Sequence, residues 1–361
     1  MLRLLAVGVW LKLIGGVGTQ SKLRGAISGF GEVAARAHLP GWRTRENVSL
    51  NVVHDPVSER RHEAIRLIKS VRVYDDLGLM LDGESPDFVD VASPPGFHAE
   101  AVRAALNARA HVIVEKPLCL ELGEFDELAA LAEKQGRVLM CVHNWKYAPA
   151  YAVAREAIEA GRLGEIRFIS VDRLRTEPAG AGGSGGQWRA GASSGGGILI
   201  DHGWHVFYLM QWLLGGDSPT AISAHLESPG GGNAEDLADL RVVFSSGCIA
   251  RAHLSWRAPV RRTSAVIYGE RACIEIEGDR VILTDRTGAI EDLSVADVAD
   301  DSYHSAWFGA MAAEFERAVT EGTNSRAARR NLAEARTALA LIDAARQSNR
   351  SRAAAPVVLK S

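Results

Sequence analysis

The sequence predicts an α/β domain on a parallel sheet, followed by an α+β domain on a mainly antiparallel sheet. Two patterns point there. Between residues 23 and 142, short apolar runs alternate with stretches whose apolar residues recur at three and four, the rhythm of βαβ units. After Pro149, strand-like runs follow one another without regular helices between them, as antiparallel sheets require. At 361 residues the chain exceeds one ordinary domain, and 47% hydrophobic against 24% charged residues suits two packed cores.

Strands are expected at 23–28, 49–54, 88–92, 111–115 and 137–142, covered by helices at 33–37, 59–70, 99–107 and 122–135. A helix at 151–160 leaves through glycines 161 and 164 into an alternating strand at 166–174. Further strands are expected at 221–227, 240–244, 247–256, 264–268, 272–276 and 280–283. Two helices, 306–319 and 326–347, separated at Glu321-Gly322, end the chain. The domains are then 22–146 and 147–361. Residues 1–21 read as a poorly ordered extension, because Lys12 interrupts the apolar run and no small-x-small cleavage site follows it.

A formal net charge of −3 offers nucleic acid and anionic membranes no bulk attraction, which leaves small molecules as partners. Cys119, Cys141, Cys248 and Cys273 lie far apart, with no CxxC pair or His/Cys cluster. They read as reduced core residues of a cytoplasmic protein without a metal site. Residues 179–197, rich in Gly and Ser around Gln187, Trp188 and Arg189, read as a linker or mobile loop.

Three sites carry chemistry. Gly29-Phe30-Gly31-Glu32-Val33-Ala34 follows a predicted strand and opens a predicted helix. Glycines there allow a tight turn and close approach of a pyrophosphate to the helix N-terminus. Asp55 ends the second predicted strand, near the spacing of a ribose-binding acid. A carboxylate there repels a 2′-phosphate, so NAD is expected over NADP, with Arg60 and Arg61 able to soften the preference. Glu115-Lys116-Pro117 ends the fourth predicted strand, on the sheet edge where ligands bind, and a Lys there can hold a substrate oxygen. Asp201 and His205, after Gly195-Gly196-Gly197, form an i, i+4 pair if this stretch is helical. A carboxylate beside an imidazole raises its basicity, which suits a general base near neutrality. The same spacing also describes a buried histidine satisfied by its neighbour, and His202 is the local rival for the base.

Taken together, Gly29-x-Gly31-x-x-Ala34, Asp55-Pro56, Ser93-Pro94-Pro95 with His98, Glu115-Lys116-Pro117, Gly161-x-x-Gly164-Glu165-Ile166, Gly195-Gly196-Gly197 and Asp201-x-x-x-His205 form an ordered set. In this order they resemble the glucose-fructose oxidoreductase, inositol dehydrogenase and MocA family, from about residue 22 to 359. The resemblance implies a Rossmann domain followed by a domain with a large, mainly antiparallel open sheet. It implies an NAD(P)-dependent oxidoreductase interconverting a secondary alcohol and ketone on a sugar, cyclitol or nucleotide sugar. Cofactor contacts would come from Gly29, Phe30, Gly31, Glu32, Val33, Asp55, Ser93, Pro94, His98, Glu115 and Lys116. Substrate contacts would come from Lys116, Asn144, Lys146, Trp188, Arg189, Asp201, His202 and His205. Lys116, Asp201 and His205 would be catalytic, with Asp201 supporting His205, and the open sheet would build a homodimer or homotetramer. Two departures face the expected pocket: Lys146 stands where Arg is common, and His202 where an apolar residue is usual. An NAD-dependent glycosidase of the same fold and a non-catalytic dinucleotide sensor are the competing readings.

Overall fold

The computed structural model describes residues 22–178, 189, 191, 195–228, 234–296 and 303–359. The extension at 1–21 and Trp188 lie outside the described residues. Six strands, β1 (Leu23–Ser28), β2 (Val48–His54), β3 (Arg72–Tyr74), β4 (Phe88–Val91), β5 (His111–Val114) and β6 (Leu139–Cys141), form a wholly parallel sheet. Its order is β3-β2-β1-β4-β5-β6. The order reverses between β1 and β4, the switch point at which such sheets bind ligands.

Its helices are α1 (Leu39–Arg43, reached through a π turn at Ala34–His38), α2 (Ser58–Leu67), α3 (Leu77–Glu84), α4 (His98–Asn107) and α5 (Leu122–Gln135). The sequence pattern misses β3 and α3. Three residues, Arg-Val-Tyr, are too few to display alternation, so Lys116 follows the fifth strand rather than the fourth. Every residue of β4 is buried, as parallel strands covered on both faces should be.

After α6 (Pro149–Glu159) comes a second sheet of nine strands: β7 (Ile166–Leu174), β8 (Pro219–Glu227), β9 (Leu237–Phe244), β10 (Ile249–Ser255), β11 (Arg262–Gly269), β12 (Ala272–Glu277), β13 (Arg280–Asp285), β14 (Ile290–Asp292) and β15 (Ala355–Pro356). Its order is β14-β13-β12-β11-β7-β10-β9-β8-β15. All pairings are antiparallel except β7 with β10. One face of this sheet is covered by α7 (Trp204–Leu213), whose entry is a π turn at Leu199–Gly203.

The C-terminal helices return to the first sheet. On α8 (Ser305–Glu321), Phe308 and Phe315 pack edge-on against Trp42, and Phe315 also meets Phe88 of β4. The 26-residue α9 (Arg326–Ser351) ties both sheets together. Its Asn331 amide donates to the Cys141 carbonyl (2.9 Å) and accepts from the Cys141 N–H (2.7 Å), pairing the backbone of edge strand β6. Farther along, Ser348 Oγ and Asn349 Oδ1 accept from the Ala224 and Leu226 N–H groups of β8. One rigid helix thus fixes the two sheets about the cleft between them.

Candidate active site

The switch point presents a dinucleotide cradle. Gly29 has φ +90°, and a Cβ there would lie 2.5 Å from the Ser93 nitrogen, so only glycine fits. A Cβ on Gly31 would meet nothing within 4 Å, which leaves open space beside the helix that begins at residue 32. Ser93 Oγ is buried without a hydrogen-bond partner on the same rim, a polar atom left for a ligand. Asp55, at the end of β2, accepts from the Phe30 N–H (2.7 Å) and the Val57 N–H (2.8 Å). These residues fit the pyrophosphate and ribose of a dinucleotide.

Gly31→Val should therefore fold normally and occupy the space of the pyrophosphate. Its affinity for NAD is expected to fall about 10-fold or more, about 1.4 kcal/mol or more of lost binding. Unchanged affinity on titration would place the cofactor elsewhere.

Across the cleft, Lys116 meets the second domain. Its ammonium donates to the Asp201 carboxylate (2.7 Å) and to the Asp201 carbonyl (2.9 Å). The other carboxylate oxygen accepts from Arg189 Nε (3.0 Å). Burial alone would raise the Asp201 pKa, but Lys116 and then Arg189 hold it well below the usual carboxylate range. His205 stacks on Trp145 (4.2 Å between centroids, 7° between planes), and its Nδ1 shares a 2.8 Å hydrogen bond with the Tyr208 hydroxyl. Tyr208 also accepts from the Trp145 N–H (3.0 Å). His205 Nε2 takes part in no hydrogen bond among the described residues, so it is the ring nitrogen left to face a substrate. Burial, then the Lys116 charge, push the His205 pKa well below 6.5.

Residues 23–143 match the oxidoreductase family with an NAD-binding Rossmann fold, and residues 151–275 match the GFO/IDH/MocA C-terminal domain. The chain is 30% identical over 305 residues to the D-glucoside 3-dehydrogenase of Escherichia coli (strain K12), covering 79% of this chain and 86% of that protein. The chain belongs to the Gfo/Idh/MocA family. Like the family, it is an oxidoreductase whose first domain binds NAD. The Gfo/Idh/MocA fold extends over nearly the whole chain. An oxidoreductase from Agrobacterium radiobacter, in complex with NAD+, L-tartaric acid and magnesium, superposes with a TM-score of 0.80 at 21% identity over 93% of this chain and 99% of that one. Levoglucosan dehydrogenase, in complex with NADH and levoglucosan, gives 0.82 at 20% over 94% and 100%.

Several expected contacts take other partners in this Gfo/Idh/MocA chain. Asp201 does not hydrogen-bond His205: two permanent cations outcompete a neutral imidazole for its oxygens, and Tyr208 takes Nδ1. Burial and the Lys116 charge outweigh the raising effect of Asp201, so His205 is less basic than a free histidine, not more. The Phe30 side chain is core and its N–H serves Asp55 rather than a phosphate. His98 is buried with its ring nitrogens on the carbonyls of Pro117 (2.6 Å) and Ser93 (2.7 Å), so it joins two strand-end corners. Glu115 gives one oxygen to His38 Nε2 (3.0 Å) and the other to the Lys116 N–H (3.0 Å). Glu32 pairs with Arg36 (2.8 Å) and accepts from the Tyr303 hydroxyl (3.0 Å), while Val33 is half-buried and Pro94 exposed on the rim. Lys146 is bound to Glu334 and lies 5.8 Å from the Tyr208 ring centre. Asn144 Oδ1 is buried without a partner, which suits a substrate contact.

His202 accepts from Arg173 Nε at its Nδ1 (3.2 Å), and its Nε2 lies 3.5 Å from Asp201. Both nitrogens are engaged, which disfavours it as the mobile base. Sequence reasoning missed Tyr208, Trp145, Arg173 and His38. Tyr208 lies three residues after His205 on one helix, and Arg173 sits on the buried face of an alternating strand, so faint signals existed for both.

Proposed function

We propose that the cleft interconverts a secondary alcohol and a ketone on a sugar-like substrate, with Lys116, Asp201 and His205 around the reacting oxygen. The convergence of Lys116 from the end of β5 with Asp201 and His205 from the turn into α7 carries this reading. Bound NAD supplies the hydride acceptor. Lys116, oriented by Asp201, donates a hydrogen bond to the substrate oxygen, a bond that strengthens as that oxygen becomes a carbonyl. His205 Nε2 takes the hydroxyl proton, while Tyr208 and Trp145 hold the ring in place. Sugar substrates are supported by the names of relatives, among them the D-glucoside 3-dehydrogenase and a D-apiose dehydrogenase.

NADH formation from a panel of sugars and cyclitols tests the reading and separates it from a glycosidase, in which the cofactor shows no net change. The pH profile adds a check on His205. A base held well below 6.5 stays neutral as pH falls through the ordinary histidine range, so kcat/KM for oxidation should remain level from pH 8 to below about 6.5. Half-loss near pH 6.5 would assign the proton to another group.

Among the described residues, no helix is long and apolar enough to cross a membrane. Four free cysteines, three of them buried, support a cytoplasmic location. The face of the second sheet away from α7 carries Tyr268 (47% exposed) beside Phe168, and we assign it to contact between copies in a homodimer or homotetramer.

A further inference from the structure

Alternate residues of a strand share a face. On β7, Ile169 and Val171 point into the core beneath α7, and the same alternation brings Arg173 and Arg175 to that face at the strand end. Thr263 of β11 pairs with Arg173 in register, and Trp256 follows β10 directly after Ser255, the partner of Leu174. Arg173 Nη1 and Arg175 Nη2 both donate to the Thr263 hydroxyl, at 2.8 and 3.1 Å. Two guanidinium groups therefore meet on one neutral oxygen, their nitrogens at most about 6 Å apart.

Their other partners are neutral as well. Arg173 reaches His202 Nδ1 and lies 4.0 Å from the Trp145 ring centre, while Arg175 reaches the Leu174 and Arg262 carbonyls. No carboxylate among the described residues lies within ion-pair distance of either. Asp201, the carboxylate next to His202, is already engaged by Lys116 and Arg189. Exposed Arg261 adds a third like charge near the pair. Burial first, then the Arg175 charge, lower Arg173 to about 9, and burial, then the Arg261 charge, lower Arg175 to about 10, as expected of cations short of a counter-charge.

A second observation is independent of charge. Trp256 is 5% exposed, its indole N–H is buried without an acceptor, and its ring stands edge-on to His202 at 6.1 Å. A buried donor without an acceptor is rare and costly. It lies at the same strand ends as the arginines.

We propose that Arg173 and Arg175, with Arg261 at the rim and the Trp256 N–H, form a subsite for an anionic group on the substrate, so that the preferred substrate is an acidic sugar. The guanidinium fork matches the oxygens of a carboxylate or phosphate, the shared chemistry of the two ligand types. Through Arg173 the subsite is one residue from the catalytic carboxylate, within reach of a sugar whose hydroxyl sits at Lys116 and His205. The inference rests on the proposed dehydrogenase reading for its substrate and is separable from it by experiment.

The full-length protein with saturating NAD+ is offered methyl glucoside, D-glucuronate and glucose 6-phosphate. NADH absorbance gives kcat/KM, and calorimetric titration gives affinity. One of the two anionic sugars is expected to exceed methyl glucoside by about 10-fold or more, and which one distinguishes carboxylate from phosphate. Arg175→Gln should reduce that ratio about 10- to 100-fold through KM, the worth of a charge-assisted hydrogen bond. Arg261→Gln, at an exposed position, should reduce it in the same sense and covers the case in which Arg175→Gln does not fold. Preference for methyl glucoside, failure of both anions to bind, or an unchanged ratio in folded variants overturns the subsite. If an anion binds and Arg175→Gln abolishes that binding while no sugar is oxidised, the subsite stands and the dehydrogenase reading fails.

Discussion

Replacing His205 by alanine is expected to lower kcat about 10²- to 10⁴-fold, the usual cost of losing an acid/base group, with NAD affinity retained. The ring is fixed on two sides, by the Trp145 stack and by the Tyr208 hydroxyl, so its one uncommitted nitrogen has a defined direction. Lys116→Ala should lose a comparable factor, because its ammonium, 2.7 Å from Asp201, is the cation we propose at the reacting oxygen. Groups that act on one atom are not additive, so the double variant should be little slower than the poorer single one. Stopped-flow single turnovers with NAD+ separate chemistry from binding. If His205→Ala turns over at nearly the normal rate while His202→Ala is inactive, the proton passes through the other ring.

The second large effect concerns stability. His38 is fully buried in the π turn before α1, stacked on Phe308 at 3.8 Å, with Nδ1 3.0 Å from both Asp90 oxygens and Nε2 3.0 Å from Glu115. Trp42 Nε1 also donates to Asp90 (2.7 Å). Burial would lower the His38 pKa, but Asp90 and then Glu115 overcome this and raise it to about 9. His38→Gln leaves two carboxylates without their cation and is expected to cost about 3–5 kcal/mol. A folded-state pKa above the unfolded value gives stabilisation that is complete below pH 6.5 and lost as pH rises through 9. The gap between wild type and variant in urea unfolding should therefore be widest at pH 6.5 or below and narrow above pH 9. A gap independent of pH would show His38 to be neutral.

Most of the first sheet could be read from the chain because periodicity and glycine chemistry are local. The run at 23–28 and the helix at 122–135 match β1 and α5 end for end. Gly29 follows from a turn that needs φ +90° beside the Ser93 backbone, and Gly31 from open space at a helix start. β3 escaped because three mixed residues carry no period. The partners of Lys146 and Glu115, Glu334 and His38, carry no local signal, because a charge near a strand end looks the same whether it faces a ligand or a side chain from a distant element.

What the sequence alone determined was therefore the alternation of elements, the dinucleotide turn, and the motifs that carry Lys116, Asp201 and His205. Only the tertiary structure decided who pairs with whom. Asp201 took Lys116, 85 positions away in sequence, in preference to the neighbour four residues along its own helix. Lys146 took Glu334, and His38 took Asp90. Helical and strand periods state which face of one element is buried, and they do so within a few residues. Partners of a buried charge are set by how separate elements pack, and the strongest available counter-charge takes the bond wherever in the chain it arises.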